Sequence, residues 1–556
     1  MALPAGAMEK HATDKTMNWN HGLTPPAKGA HPHRVWAWGA LLALLSATAQ
    51  AEETGFDILE FVVEGNTVLP AQHIEEAVYP FMGEKKGIGE ADAARTALEK
   101  AYHDNGYLTV FVDIPEQEVK SGVVRLRVTE GQVERLRVTG SRYYSLGRIR
   151  AKAPDLAEGS VPYFPEVQKQ LAGVNKGADR RVTPVLRPGR TPGKVEVDLK
   201  VEDQLPLHGS VELNDRYSAN TTKSRLNANL RYDNLWQQEH SLTLGLQTAP
   251  EDTDESKVLS ATYVWPMANG NYLAAYGVLS ESDVASVGDV NVVGNGLIAG
   301  LRYILPLRSR PGYFHTLTLG MDFKDFDETV KLQGTDSANT PISYLPFSLG
   351  YEGNLRSDQS QTQFNATLNF SLRGLADGEV ECLPGIFVNE FACKRFLGRA
   401  NYAYLRLDLK HTRTFPSGWS LFGRGTAQVA SSPLISNEQF SAGGVDSVRG
   451  YTESVVSGDQ GLAWGLEMRA PSLAQRLSPR LEEFNLYAFV EGASLSIHDP
   501  LPAQTDQFDL LAAGLGLRFK GWGGFYGHLD WAHPYEDAGP VLAGEDRFHL
   551  RLGYAW

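Results

Sequence analysis

From Leu207 to the last residue the chain breaks into segments of roughly ten residues in which apolar and polar side chains alternate, with turn-rich stretches between them. Lys223 to Tyr232, Ser241 to Gln247, Lys257 to Trp265 and Tyr402 to Lys410 are examples. A side-chain period of two means extended strands with two unlike faces. The last segment is the clearest. Phe548, Leu550, Leu552, Tyr554 and Trp556 share one face, while His549, Arg551, Gly553 and Ala555 share the other. Such a series is the signature of a transmembrane β-barrel, with one face in lipid and the other towards a lumen. A soluble sandwich is the competing architecture, but it gives no reason for an aromatic-ended strand at the C-terminus of an exported chain. Counting segments yields about sixteen antiparallel strands, an even number as a single-chain bacterial barrel requires.

Export is read from the other end. Arg34 precedes an apolar run from Val35 to Leu45 and then small residues up to Ala49-Gln50-Ala51, the pattern of a secretory signal cleaved after Ala51. No later run reaches the about 18 to 20 apolar residues of a stop-transfer helix. The mature chain therefore leaves the cytoplasm. A formal charge of -14 argues against a nucleic-acid partner. No GxxxxGK[ST] loop, GxSxG elbow or HExxH helix occurs, so no enzymatic activity, cofactor or metal is expected. Cys382 and Cys393 are the 2 cysteines, separated by a short segment between the candidate ninth and tenth strands. In an oxidising compartment they point to a local disulfide in an outer loop, with free thiols as the alternative.

Between signal and barrel, a β-α-α-β-β pattern of about 75 residues occurs twice. The first unit has strand Phe61 to Val63, helical spacing in Ala71 to Phe81 and Ala91 to Tyr102, and strands Leu108 to Ile114 and Val123 to Val128. The second runs from strand Val133 to Val138 through helical character at Val167 to Val174 to strands Val182 to Leu186 and Lys194 to Val201. The domains are thus residues 1–51 (signal), 52–131, 132–204 and 205–556 (barrel).

Two sets of residues give the chain a family likeness. Gly65-Asn66-Thr67, Gly106-Tyr107, Pro115, Gln117, Gly122 and Glu130-Gly131 follow in order through the first unit. Gly443 to Tyr451, containing Val448-Arg449-Gly450-Tyr451, lies in the candidate sixth outer loop, about residues 434–459. With these the sequence resembles the outer-membrane transporters of two-partner secretion, the FhaC/ShlB/HecB type. The resemblance implies two α+β POTRA domains in the periplasm ahead of an all-β transmembrane barrel. It implies that the sixth loop folds into the barrel and that Arg449 pairs there with a carboxylate on a later strand. The family's carboxylate is an Asp in Phe-x-Asp-x-Gly; here the stretch is Phe489-Val490-Glu491-Gly492, which makes Glu491 the expected partner. Alternation puts Tyr487, Phe489 and Glu491 towards the lumen, with Glu467 and Arg469 as competitors for the pairing. A wet lumen would make that pair weaker than a dry one.

The implied function is export of one large secreted protein. The POTRA domains would catch that partner's N-terminal secretion domain, the barrel would be the pore, and the arginine loop would gate it. Outer-membrane lipid, and the barrel-assembly machinery during biogenesis, are the other partners implied. Exposed strand edges suit capture by β-augmentation, with strand Leu108 to Ile114 and helix Ala91 to Tyr102 as the candidate surface. Some relatives carry a plug helix; the about seven residues from Glu52 to Ile58 are too few for one at roughly 1.5 Å per residue, so its absence is expected. The rival reading is an assembly insertase of the BamA or TamA kind, which shares this architecture but normally has more POTRA units.

Overall fold

A chain that crosses lipid as strands must close its sheet, because an open edge would leave backbone polar groups without partners. In a computed structural model the chain meets that demand. The structure describes residues 55–556, leaving aside positions 120, 220, 283, 288–289, 294, 328, 333–335, 340, 376–377, 384 and 503. The signal read from Arg34 to Ala51 falls outside the described residues. Contacts divide the chain between Leu205 and Pro206 into two units.

The N-terminal unit holds two three-stranded sheets. The first is built from β1 (Glu60–Glu64), α1 (Ala71–Val78), α2 (Ile88–Asp104), β2 (Val110–Asp113) and β3 (Val123–Glu130), with β3 in the centre. The second uses β4 (Gln132–Thr139), α3 (Leu146–Ala151), α4 (Phe164–Val174), β5 (Arg180–Pro188) and β6 (Lys194–Asp203), with β6 in the centre. Neither α3 nor the two-stranded sheet pairing Phe56–Ile58 with Gly83–Lys86 was legible in the sequence pattern; both are too short to show a period. Leu98, Tyr102 and Leu126 fill the first core and Leu156, Val197 and Leu199 the second, all fully buried.

The repeat holds at atomic detail. Gly65 and Gly140 both have left-handed backbone, φ 90° and 92°, and a Cβ at either would lie 2.4 Å from the carbonyl of Val128 or Val201. Only glycine lets the turn pass so close to the central strand. The carboxylate ending each central strand then accepts from the turn: Glu130 from Val68 N at 3.1 Å, Asp203 from Arg142 N and Tyr143 N at 2.9 Å each. Asn66 accepts from Leu69 N and the Tyr102 hydroxyl. Gln117 bonds both backbone groups of Arg125, prolonging the ladder beyond β2; Pro115 precedes it. Gly106 lets the second repeat approach, with Phe164 N donating to its carbonyl at 3.0 Å and Tyr107 against Tyr163 at 5.3 Å. Gly122 and Gly131 sit where a Cβ would meet Leu59 and the Thr109 carbonyl.

The sheet edges correct one expectation. Strand β2 is an edge, but its outward backbone groups are occupied by one face of α2. His103 Nε2 lies 3.0 Å from Val110 O, Glu99 accepts from Val112 N at 3.0 Å, and Arg95 donates to Val112 O at 3.4 Å. An incoming strand would have to displace all three. Edge β5 is guarded differently: Asn175 takes both backbone groups of Val182, and Pro184 and Pro188 follow with the same parity, where no N–H is offered.

The C-terminal unit is a closed antiparallel barrel of 16 strands. They are β7 (Leu207–Asn214), β8 (Arg225–Leu235), β9 (His240–Thr248), β10 (Ser256–Pro266), β11 (Tyr272–Ser282), β12 (Asn295–Pro306), β13 (Tyr313–Asp327) and β14 (Phe347–Arg356). The second half comprises β15 (Ser360–Phe370), β16 (Ala403–Thr414), β17 (Ser420–Ala430), β18 (Gln460–Arg469), β19 (Leu481–Ser496), β20 (Gln507–Gly521), β21 (Phe525–Pro534) and β22 (Arg547–Ala555). A short strand, Ile342–Tyr344, continues the ladder on β13 beyond β14. Strands β22 and β7 close the ring from Arg551↔Asn214 to Ala555↔Ser210, and Trp556 adds a reciprocal backbone pair with Gly209.

Alternation decides which side chains face out. Leu405, Leu407 and Leu409 on β16, and Leu462, Leu466 and Met468 on β18, are exposed. So are Phe548, Leu550, Leu552, Tyr554 and Trp556 on β22. In water such a surface would aggregate; in lipid it is the solvated face. Trp236, Trp265, Trp419, Trp522 and Trp556 are also exposed and cluster near the short turns, forming an aromatic girdle at one interface. No helix among the described residues is long and apolar enough to cross a membrane.

Replacing Leu409 by Arg in the middle of β16 should destabilise the barrel by about 2–4 kcal/mol. Lys410→Gln, one residue on but facing the lumen, should change it by no more than about 0.5 kcal/mol. Urea-titrated refolding into vesicles measures both, and equal effects would contradict the assigned faces.

Candidate functional site: the inward sixth loop

The loop between β17 and β18 turns back into the barrel. Phe440–Ala442 and Val456–Gly458 pair as a hairpin that carries the intervening residues down. Gly443 and Gly450 make the bends, with φ 110° and 96°; at Gly443 a Cβ would lie 2.5 Å from Thr452 O. Val448 and Tyr451 are fully buried at the tip. The Tyr451 hydroxyl lies 2.9 Å from the carbonyl of Glu536 and 3.1 Å from that of Leu511.

Arg449 reaches three strands at once. Its Nε and Nη2 donate to Glu491 on β19 at 3.0 and 2.6 Å, and its backbone N donates to the same carboxylate at 2.9 Å. Nη2 also reaches Glu467 on β18 and Nη1 reaches Asp530 on β21, both at 3.1 Å. The guanidinium lies 3.5 Å from the centre of the Phe489 ring, a cation–π contact. Arg424 on β17 donates to Glu491 at 2.6 Å and to the Ser447 carbonyl at 2.8 Å. Arg469 holds the second oxygen of Glu467. Three carboxylates thus face three guanidinium groups.

Glu467 and Arg469 do not compete with Glu491; they join it. Glu491 takes a share of two arginines and a backbone N–H, a reach consistent with its extra methylene relative to Asp. The pair is more buried than the sequence suggested: Arg449 is 6% exposed, Glu491 1% and Asp530 2%. The loop itself, together with Phe489 and Tyr487, covers most of the cluster. A polar cavity of about 130 Å³ opens onto Arg449, Glu467 and Asp530 and is lined also by Arg518, His528 and Arg551. Asp530 was missed in the sequence. Its parity on the His528-Leu529-Asp530-Trp531 segment marks it as lumenal, but nothing local singles it out from other lumenal carboxylates.

The loop also grips the barrel seam. Gly450 N donates to His549 Nε2 on β22 at 2.9 Å, and His549 Nδ1 lies 2.9 Å from Asp215 just after β7. Arg216 is shared between Asp446 at 2.8 Å and Glu453 at 3.1 Å. Cys382 and Cys393 form a disulfide, Cα–Cα 5.5 Å, in the loop between β15 and β16. It lies in the neighbouring loop and contributes no residue to the arginine cluster described above.

Residues 56–131 match the POTRA domain, ShlB-type, and residues 311–519 match the haemolysin secretion/activation protein ShlB/FhaC/HecB. The outer membrane transporter CdiB of Dickeya dadantii is 25% identical over 77% of this chain and 71% of its own. The heme/hemopexin transporter protein HuxB of Haemophilus influenzae is 20% identical over 68% and 66%. Among solved structures, CdiB from Escherichia coli superposes with a TM-score of 0.58 at 19% identity, covering 92% of this chain and 93% of that one. BamA from Haemophilus ducreyi lacking POTRA domains 1-3 gives 0.52 at 14% identity, covering 90% and 100%. At these identities the structural matches speak for the fold.

Arg449→Ala should leave the barrel folded but free the loop, since removing one partner of a buried ion pair costs about 3–5 kcal/mol. Arg449→Lys should restore little, because one ammonium cannot span three carboxylates and stack on Phe489. Limited proteolysis of the sixth loop in detergent-folded protein reads both. Protection equal to the parent's in Arg449→Ala would show that the cluster does not hold the loop.

Proposed function

Because the chain belongs to the ShlB/FhaC/HecB family of outer-membrane transporters of two-partner secretion, we propose that it exports one large partner protein through the lumen of its own barrel. The N-terminal secretion domain of that partner is caught by the paired α+β units, residues 52–131 and 132–204, on the periplasmic side. The sixth loop is the gate. The observation that carries this reading is the loop itself: a polar lumen in which the tip of one long loop is held by Arg449 on three strands. A passive pore has no use for such a strap. A transporter does, because the ion pairs that hold it shut can be exchanged for others when the loop moves.

Two repeats, rather than three or more, favour secretion over a general assembly insertase, which remains the rival function. Export needs no nucleotide on this view. Folding of the emerging partner outside the cell biases its passage by mass action.

Capture by β-augmentation needs a free edge, and β2 does not offer one. Strand β1 does. Glu60 N donates to Gly122 O, so the even-numbered residues of β1 face β3 and the backbone groups of Phe61 and Val63 point away. Among the described residues nothing pairs with them. An extended partner segment added there would join the first sheet beside the exposed Leu59.

Deleting the gene should remove one large protein from the cell surface and leave the levels of other outer-membrane proteins unchanged. A general fall in those levels would favour the insertase. Within the transporter, Phe61→Cys should cross-link to single cysteines placed along the partner's secretion domain with a two-residue period. Glu99→Ala, which uncovers Val112 N on the β2 edge, should leave export within about twofold of the parent. Cross-linking at Phe111→Cys in place of Phe61→Cys would move the capture site to β2.

A further inference from the structure

The arginine cluster fixes only one end of the inward loop. Its descending leg, Leu434 to Gln439, enters the lumen beside a separate sector of the wall, and a second buried charge lies there. Glu438 is 3% exposed. One of its oxygens accepts from Lys324 Nζ on β13 at 2.5 Å and from the Tyr344 hydroxyl at 2.6 Å; the other accepts from the Tyr404 hydroxyl on β16 at 2.8 Å. Lys324 also sits over the Tyr344 ring, 5.7 Å from its centre. Leu434 and Ile435 bury beside these groups, against Tyr344, Tyr402 and Phe391 of the disulfide-bearing loop.

A second carboxylate of the loop, Asp459, serves as the contrast. It is fully buried, but it accepts from the backbone of Leu434 and His498 and from Gln439. Leu434 and Gln439 belong to the same loop, His498 to the loop after β19, and Arg395 of the disulfide-bearing loop lies 3.6 Å from the carboxylate, so Asp459 ties loops to one another rather than to the wall. The side-chain bonds of Glu438 all go to the lumenal face of the barrel. They hold the loop to the wall.

We propose that Glu438 is a second tether, a positioning residue that stretches the sixth loop across the pore between the Lys324–Tyr344–Tyr404 site and the Arg449 cluster. The inference rests on the barrel being the pore and the loop its gate. It adds that closure needs both ends. A strap fixed at its tip alone can swing about that tip and open a path along β13 to β16. Held at both ends, it cannot. One carboxylate answered by one ammonium and two phenols is also a simpler cluster than three carboxylates answered by three guanidinium groups. The Glu438 end is therefore the one that releases first, with Arg449 as the hinge.

The test is single-channel recording of the full chain in planar lipid bilayers, with heat-dependent electrophoretic mobility to show that each barrel is folded. Glu438→Gln and Lys324→Met should each raise the frequency of large openings about tenfold, which by the usual relation is about 1.4 kcal/mol. The exchange Glu438→Lys with Lys324→Glu should bring it back to within about twofold of the parent, a rescue that a merely structural loss would not show. Arg449→Ala is recorded beside them. If Arg449→Ala opens the pore and folded Glu438→Gln does not, the second tether is wrong and the gate stands. If neither changes the recording, the gate reading falls and the tether with it. Failure of the exchanged pair to recover also overturns the tether.

Discussion

A sheet in lipid has no solvent for its edges, and that constraint organises the C-terminal unit. Every strand must find two neighbours, so the last must return to the first. The return is made between β22 and β7, where five register pairs and the Trp556–Gly209 backbone exchange close the ring. Gly209 also leaves room for the Trp556 ring, which a Cβ there would meet at 2.0 Å. The same constraint explains the composition of the two faces. Leucines can be exposed in long rows only because lipid covers them, and charges can sit on the same strands only because they alternate inwards.

Closure leaves a lumen to be filled, and the sequence fills it with its own sixth loop. The filling is polar because the wall is polar. Arg449, Arg424 and Arg469 answer Glu491, Glu467 and Asp530; Arg302 answers Asp322, with Tyr276 bonded to both, on another sector of the wall. Buried ion pairs are not an economical way to stabilise a fold, since apolar groups of equal volume often do as well or better. Their presence makes sense where the packed element must leave. An apolar plug lifted from its seat exposes surface that water penalises, whereas a charged strap can trade each carboxylate for water or for another charge.

Much of this was legible in the sequence, for a physical reason: a period of two survives in any strand that separates lipid from water. The barrel, the lumenal parity of Glu491 and Glu467 and the inward loop all follow from period or motif. What was not legible depends on pairs of residues far apart in the chain. Asp530 and Glu438 look like any other lumenal or loop carboxylate until the register of β21, or the path of the loop, places them beside a cation. The burial of the Arg449 cluster likewise comes from the loop covering its own site, a consequence of packing that no window of sequence contains. The edge of β2 failed for the same reason. Its strand pattern was visible, but the Arg95, Glu99 and His103 row that covers it belongs to a helix whose spacing read simply as amphipathic.

That row bears on how an exported protein meets a sheet without provoking aggregation. Unpaired edges invite any extended chain, and the periplasmic side of this barrel would meet many. Among the described residues, three of the four outer edges of the two three-stranded sheets carry local partners: β2 from α2, β5 from Asn175 with two prolines after it, and β4 from the turn at Gly159 and Ser160, which bonds both backbone groups of Val133. With those three edges covered, and the Phe61 and Val63 backbone groups unpaired among the described residues, the capture proposed above would be directed to β1. Specificity then need not come from tight side-chain pockets alone. It would follow in part from the shortness of the β1 edge, five residues long, which limits the register in which a partner segment can add.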